Sequence, residues 1–252
     1  MSHEVTPHLI LLVTGALLGG VVQGISGFAF GMVAMSVWAW SMDPAEATVM
    51  AVFGGLCGQV LAATTIRRPL VASELFPFLV GGLLGVPLGT HILPYISDTQ
   101  FKLVLGIILV AGCSLMFAMV QSRTVQGAGR VGDGVAGVVG GTIGGISGMT
   151  GIAPAIWCTL RGYDKARQRA LVQTFNLVTL TATMVALVWR KVATSDMLPG
   201  MAAVAIAVVV PAIAGARIYK RLSDASFRRV VLLILVLSGL ALIGSAIVGL
   251  RG

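Results

Sequence analysis

Apolar stretches of about 20 residues recur from one end of this 252-residue chain to the other. Nothing else in the sequence constrains its fold as strongly, because a helix of that length matches the roughly 30 Å hydrocarbon core of a bilayer. Six stretches read as ordinary spans, at approximately 45–66, 74–95, 100–121, 170–189, 197–219 and 229–250. Little is left over for a soluble domain. With 57% hydrophobic and 10% charged residues, against about 25% charged in soluble proteins, residues 1–252 read as a single transmembrane domain of an all-α polytopic membrane protein.

Two further apolar stretches do not fit the ordinary length. The first runs from about 8 to 41, and as one helix it would extend some 50 Å at about 1.5 Å per residue, too long for one crossing and short for two. Near its middle lies Gly24-Ile25-Ser26-Gly27, where two glycines weaken a helix and the serine can cap a new one. The same tetrapeptide returns as Gly145-Ile146-Ser147-Gly148. At an offset of 121, "GGVVQGISG" (19–27) lies over "GGTIGGISG" (140–148), and Asp43 and Ala45 lie over Asp164 and Ala166. At 122, Ser73-Glu74 and Pro77 meet Ser195-Asp196 and Pro199; at 126, "ISDTQFK" (96–102) meets "LSDASFR" (222–228). Landmarks in one order with so little drift mark an internal duplication. Repeat one covers 8–121 and repeat two 130–250, each a broken-helix, re-entrant hairpin followed by three transmembrane helices.

The charges choose the topology. If both hairpins begin and end on one face, thirteen basic residues share a side: Arg67, Arg68, Arg123, Arg130, Arg161, Lys165, Arg167, Arg169, Arg217, Lys220, Arg221, Arg228 and Arg229. Four lie opposite, Lys102, Arg190, Lys191 and Arg251. If each hairpin crosses once, the 17 charges divide seven against ten, so the positive-inside rule selects the first arrangement. Each unit then crosses an odd number of times, the two copies run in opposite directions, and both termini lie outside. The N-terminal stretch has no Lys or Arg before its apolar run and reads as a retained membrane segment. Trp38, Trp40, Trp157 and Trp189 fall near segment ends, where interfacial aromatics gather. The net charge of +8 belongs to this loop asymmetry, not to a nucleic-acid partner.

In inverted-repeat transporters the substrate sits near the midplane, where broken helices free backbone groups and half-helix N-termini carry partial positive charge. Here the amides of Ser26, Gly27, Phe28, Ser147, Gly148 and Met149 are expected to face a shared cavity and to form an anion site without a buried arginine. Gln23, Gln59, Thr142, Thr150, Gln173, Thr174 and Asn176 are polar residues at membrane depth that can line the same cavity; helix-to-helix hydrogen bonding is the open alternative for each. Gly81, Gly85 and Gly89, and Gly137, Gly141 and Gly145, have the four-residue spacing of close helix packing. The nine acidic residues fall in the tail, in loops or near span ends, which disfavours a cation substrate. Asp43 and Asp164 read as helix caps, and Cys57, Cys113 and Cys158 as small buried hydrophobes. No Ser/His or Asp/Asp pair and no HExxH suggests an enzyme, and no metal or cofactor is expected.

"GGVVQGISGFAFG", "GGTIGGISGMTGIAP", the link and span "GYDKARQRALVQTFNLVTL" and the ending "GARIYKRLSDASFRRVVLLILVLSGL" together resemble the TauE/SafE family of membrane permeases, named for sulfite and sulfoacetate exporters. The resemblance covers nearly the whole chain. It implies export of a sulfur-containing or other small organic anion, and it carries over Gly24, Ser26, Gly27, Gly145, Ser147, Gly148 and Pro154. Phe28 and Met149 stand where glycines are common in the family, and no proline follows the first break. The resulting expectation is a permease of the cell (inner) membrane, exporting sulfite, a sulfonate or a related carboxylate by alternating access. The substrate would meet Gln23, Gly24, Ser26, Gly27, Phe28, Gln59, Gly145, Ser147, Gly148, Met149, Thr150, Gln173 and Asn176. A non-transporting membrane scaffold or assembly partner and an anion uptake permease stay open as alternatives, as does a homo-oligomer.

Overall fold

The computed structural model describes residues 2–63, 72–118, 129–219 and 224–251. The loop charges Arg67, Arg68, Arg123, Lys220 and Arg221 lie outside the described residues. Repeat one contains α1 (Ser2–Ser26), α2 (Phe30–Trp38), α3 (Pro44–Ala63), α4 (Ala72–Ile92) and α5 (Asp98–Ala118). Repeat two contains α6 (Gly129–Ser147), α7 (Ile152–Leu160), α8 (Lys165–Trp189), α9 (Leu198–Tyr219) and α10 (Asp224–Arg251). Single 3-10 turns, Leu93–Tyr95 and Ser195–Met197, adjoin α4 and α9. Seven of the described helices, α1, α3, α4, α5, α8, α9 and α10, are long and apolar enough to cross a membrane. The chain is a multi-pass, all-helical membrane protein. Its six ordinary spans appear where the apolar runs place them; α6, with eight glycines in 19 residues, is not among the seven.

Both over-long stretches fold as hairpins. After α1 stops, α2 doubles back along it: Phe30 packs where a Cβ on Gly19 would fall, and Trp38 where one on Gly15 would fall. Trp38 is fully buried, its ring edge-on to Phe30, and its indole N–H donates to Leu11 O at 3.2 Å and Leu12 O at 3.1 Å. In the second hairpin Trp157 lies over Gly132 and donates to Asp133 Oδ1 at 2.7 Å. Residues 12 and 133 are equivalent at the offset of 121, so each short arm is clasped to its long arm at the same level. This corrects the interfacial reading of Trp38 and Trp157, since an indole that ties down a buried hairpin arm also falls at a segment end. Trp40 and Trp189, 47% and 84% exposed, keep the interfacial pattern.

The helices of one repeat pack mainly on those of the other. The pairings α1 with α9, α3 with α9 and α2 with α10 have as counterparts α6 with α4, α8 with α4 and α7 with α5, while α3 meets α8 and α5 meets α10. The α4–α6 seam is backbone against backbone: side chains at Gly85, Gly137 and Gly141 would strike Val138 O, Phe78 O and Gly82 O. This is the close approach expected of Gly81, Gly85, Gly89, Gly137, Gly141 and Gly145. On the other seam, Gly24 meets Ala212 O and Gly215 meets Val21 O.

Asp43 and Asp164 do act as caps. Asp43 Oδ1 accepts from Ala45 N and Glu46 N at 3.0 and 3.1 Å, and Asp164 Oδ1 from Ala166 N and Arg167 N at 3.1 and 3.0 Å. Asp43 therefore begins α3 as Asp164 begins α8, by satisfying amides of the first turn that have no intrahelical partner. At one end of the bundle Glu74, at the start of α4, takes a two-pronged ion pair from Arg167 at the start of α8. At the other end His91 Nδ1 of α4 lies 3.2 Å from Arg190 Nη1 just past α8.

Candidate functional site

Each GISG tetrapeptide ends a helix by the same device. Gly27 and Gly148 adopt φ of +87° and +71°, a left-handed conformation open to glycine at little steric cost and a common stop for a helix. Their amides close the last turn, Gly27 N to Gln23 O at 2.6 Å and Gly148 N to Gly144 O at 2.7 Å. Gly24 and Gly145, one turn earlier, lie on the packing seams, Gly24 against α9 and Gly145 against Gly89 and Thr90 of α4. The four residues thus divide the work: the first glycine admits a neighbouring backbone and the second turns the chain.

The two breaks meet. A Cβ on Gly31, in the first turn of α2, would lie 2.9 Å from Gly148 O and 3.3 Å from Met149 Cγ. One on Gly151 would lie 2.8 Å from Asn176 Nδ2 and 3.1 Å from the Phe28 ring. Phe28 and Met149, the bulky residues of the two breaks, therefore stand at the junction. Met149, Ser147 and Thr150 are 3%, 0% and 1% exposed, so this conformation is closed around the second break. A separate cavity of about 850 Å³ opens between α4 and α6, among Phe76, Leu84 and Val135. It includes none of the break residues.

The carbonyls exposed by the breaks are taken by side chains of α3 and α8. Gln59 Nε2 donates to Gly27 O at 3.0 Å and Thr48 Oγ1 to Ile146 O at 2.6 Å, both from α3. From α8, Arg169 Nη1 donates to Ile25 O at 3.1 Å and Nη2 to Gly24 O at 3.2 Å. Gln173, also on α8, places Nε2 beside Gly27. Gln23 is spent on structure, donating to Gly55 O at 3.1 Å. Asn176 Oδ1 accepts from Thr150 Oγ1 at 2.8 Å, which ties α8 to the second break. Among the described residues, two buried amide atoms have no hydrogen-bond partner, Gln59 Oε1 and Gln173 Nε2.

The backbone donors differ from the expected picture. Gly27 N and Gly148 N are bonded within their helix ends, and Phe28 N donates to Ser26 Oγ at 3.3 Å, with Ala29 N at 3.1 Å. Ser26 Oγ thus satisfies two amides of the turn between α1 and α2 but does not cap α2, whose N-cap position is Ala29, and Ser147 Oγ turns back to Ile143 O at 2.8 Å and caps nothing after it. At the first break, then, the exposed carbonyls are met by side-chain donors, and one of them is an arginine. In the sequence Arg169 reads as a loop charge because it follows Lys165 and Arg167 in a basic run. Its equivalence to Thr48 at the offset of 121, with Ile25 equivalent to Ile146, was the signal in the sequence that it reaches a break.

Ten described helices, seven of them long and apolar enough to cross a membrane, and two hairpins whose breaks meet are those of a polytopic membrane protein. A family model, Sulfite exporter TauE/SafE, matches residues 11–242, and the chain belongs to this family of membrane transporters. Comparison with curated proteins and with solved structures gave no match.

Proposed function

We propose that the protein is an anion permease of the cell membrane, which exports sulfite, a sulfonate or a related small carboxylate by alternating access, with the anion held where the two GISG breaks meet. The observation that carries this reading is the unpartnered buried donor Gln173 Nε2 beside Gly27, since an unsatisfied buried polar group costs about 1–3 kcal/mol unless something fills the place. The residues of the site are Gln23, Gly24, Ser26, Gly27, Phe28, Gln59, Gly145, Ser147, Gly148, Met149, Thr150, Gln173 and Asn176. Gly24, Gly145 and Gln23 serve it by fixing helices, and the others by surrounding the junction. The burial of the second break fits an occluded stage of such a cycle.

The two repeats are inverted in this reading, with both termini outside. Support comes from the order in which equivalent helices meet the breaks. Along α3, Thr48 reaches the second break and Gln59 the first; along α8, Arg169 reaches the first and Asn176 the second. The ion pair of Glu74 with Arg167 also joins two residues that hairpins crossing once would put on opposite faces.

Two experiments test these statements. Ser26→Leu and Ser147→Leu, in protein that still folds, are expected to weaken sulfite binding and flux; unchanged behaviour in both removes the breaks from the site. A scaffold would show no thermal stabilisation by any anion of a panel, whereas a permease is stabilised by those it binds. For topology, Trp40→Cys and Arg161→Cys occupy equivalent positions. With Cys57, Cys113 and Cys158 replaced by alanine, an impermeant thiol reagent should reach them from opposite faces; labelling from one face would overturn the inversion.

A further inference from the structure

The outer side of the α4–α6 seam carries a groove. Four glycines of the seam, Gly81, Gly85, Gly137 and Gly141, bring the two backbones together, since a Cβ on any of them would strike a carbonyl oxygen of the other helix. Gly134 differs: a Cβ there would meet Pro77 O at 3.8 Å, an ordinary contact. Close approach of the helices therefore does not require a glycine at this position, and the absent side chain leaves space in the cavity of about 850 Å³ that Gly134 lines. The walls are Phe76, Val80 and Leu84 of α4 and Val131, Val135 and Val139 of α6, all exposed.

One end of the groove is polar. Arg130, at the start of α6, and Ser73, at the start of α4, line it there, and both are exposed. No ion pair neutralises Arg130 among the described residues: the carboxylate of Glu74 is held by Arg167, and that of Asp133 takes the indole N–H of Trp157. From Ser73 to Leu84 the groove runs about 16 Å along α4, at about 1.5 Å per residue, which is half of the roughly 30 Å hydrocarbon core. It spans one leaflet, with its cation at headgroup depth and its apolar walls at the depth of the acyl chains.

We propose that this groove binds an anionic glycerophospholipid of the leaflet on the basic side of the protein. The phosphate meets the Arg130 guanidinium and the Ser73 hydroxyl, and an acyl chain lies over Gly134 between the valines of α6 and the apolar wall of α4. A zwitterionic lipid offers the same chains but brings its own cation to the arginine, so charge sets the preference. None of the groove residues belongs to either break, and the lipid site and the anion site stand or fall separately.

Native mass spectrometry of the full chain in detergent, with equal amounts of phosphatidylglycerol and phosphatidylcholine of the same chains added, measures the preference. Wild-type protein should retain phosphatidylglycerol in excess, and should unfold at a higher temperature with it than with phosphatidylcholine. Arg130→Gln should lower that excess by about fivefold, the scale of one basic residue at an anionic membrane surface. Gly134→Leu should lower the binding of both lipids, because its side chain occupies the groove, without lowering the unfolding temperature of lipid-free protein, because its Cβ is unobstructed. Arg217→Gln removes a charge at the end of α9, outside the groove, and should leave the preference unchanged. An equal loss there would reduce the effect to diffuse attraction and overturn the site, as would wild-type retention of phosphatidylglycerol in both Arg130→Gln and Gly134→Leu. If Gly134→Leu does not fold, Arg130→Gln, at an exposed position, decides alone. A second copy of the chain seated on the groove would show as a dimer that Gly134→Leu turns into monomers with lipid retention unchanged, and that result overturns a lipid as the occupant.

Discussion

The first and second breaks of this transporter share a tetrapeptide, a helix-ending glycine with positive φ and a position at the tip of a clasped hairpin, yet they differ in how their polar groups are satisfied. At the second, hydroxyls and an amide pair off in a closed set. At the first, a guanidinium covers the helix end, and buried amide atoms nearby have no partner. The lesson is that one backbone device can recur while the side chains that face it differ. Gly27 and Gly148 are interchangeable as turns; Arg169 and Thr48 are not interchangeable as neighbours.

Variants at paired positions can break or sharpen this comparison. The largest effects belong to Gly24→Leu and Gly145→Leu, because each side chain would enter the backbone of a packed helix, Ala212 O in one case and the Gly89–Thr90 segment in the other. Both should lose folded protein on size-exclusion chromatography, and to the same degree, since the seams are equivalent. Next come Gly27→Ala and Gly148→Ala. Each places a Cβ at positive φ, at a cost of about 1–2 kcal/mol. At Gly148 the new atom would also meet Val52 N at 3.1 Å, whereas at Gly27 the nearest groups are movable ends of Gln173 and Arg169. Thermal unfolding should therefore show the larger loss for Gly148→Ala; a larger loss at Gly27 would mean that the first break is the more rigid. Asp43→Ala and Asp164→Ala should be the mildest, about 1 kcal/mol each for a lost cap, and alike. A clear inequality would mean that the starts of α3 and α8 are not equivalent.

Much of this fold was legible because it depends on patterns local to the chain. Six spans followed from apolar length, the hairpins from the glycine pairs in over-long runs, and the caps of α3 and α8 from Asp43 and Asp164 before them. Glycine spacing anticipated the α4–α6 seam. The clasping role of Trp38 was not legible, since a tryptophan at a segment end looks the same whether it faces lipid headgroups or folds back onto its own hairpin. Arg169 was hidden for a related reason. It lies in the run "KARQR", which reads as inside charge, and only the packing of α8 against the end of α1 turns its side chain toward Gly24 and Ile25. The expectation of free backbone amides failed at Gly27 and Gly148 because the αL stop closes the last turn with those same groups.

The claim that an anion sits at the junction of the two breaks is tested most directly by the ligands that the junction admits. Phe28 stands there beside Gly151 and Met149 beside Gly31, so competition among sulfite, methanesulfonate and sulfoacetate for binding to Phe28→Ala and Met149→Ala should reorder the three in favour of the bulkier anions relative to wild type. If both variants fold and both keep the wild-type order, the anion does not bind between the breaks.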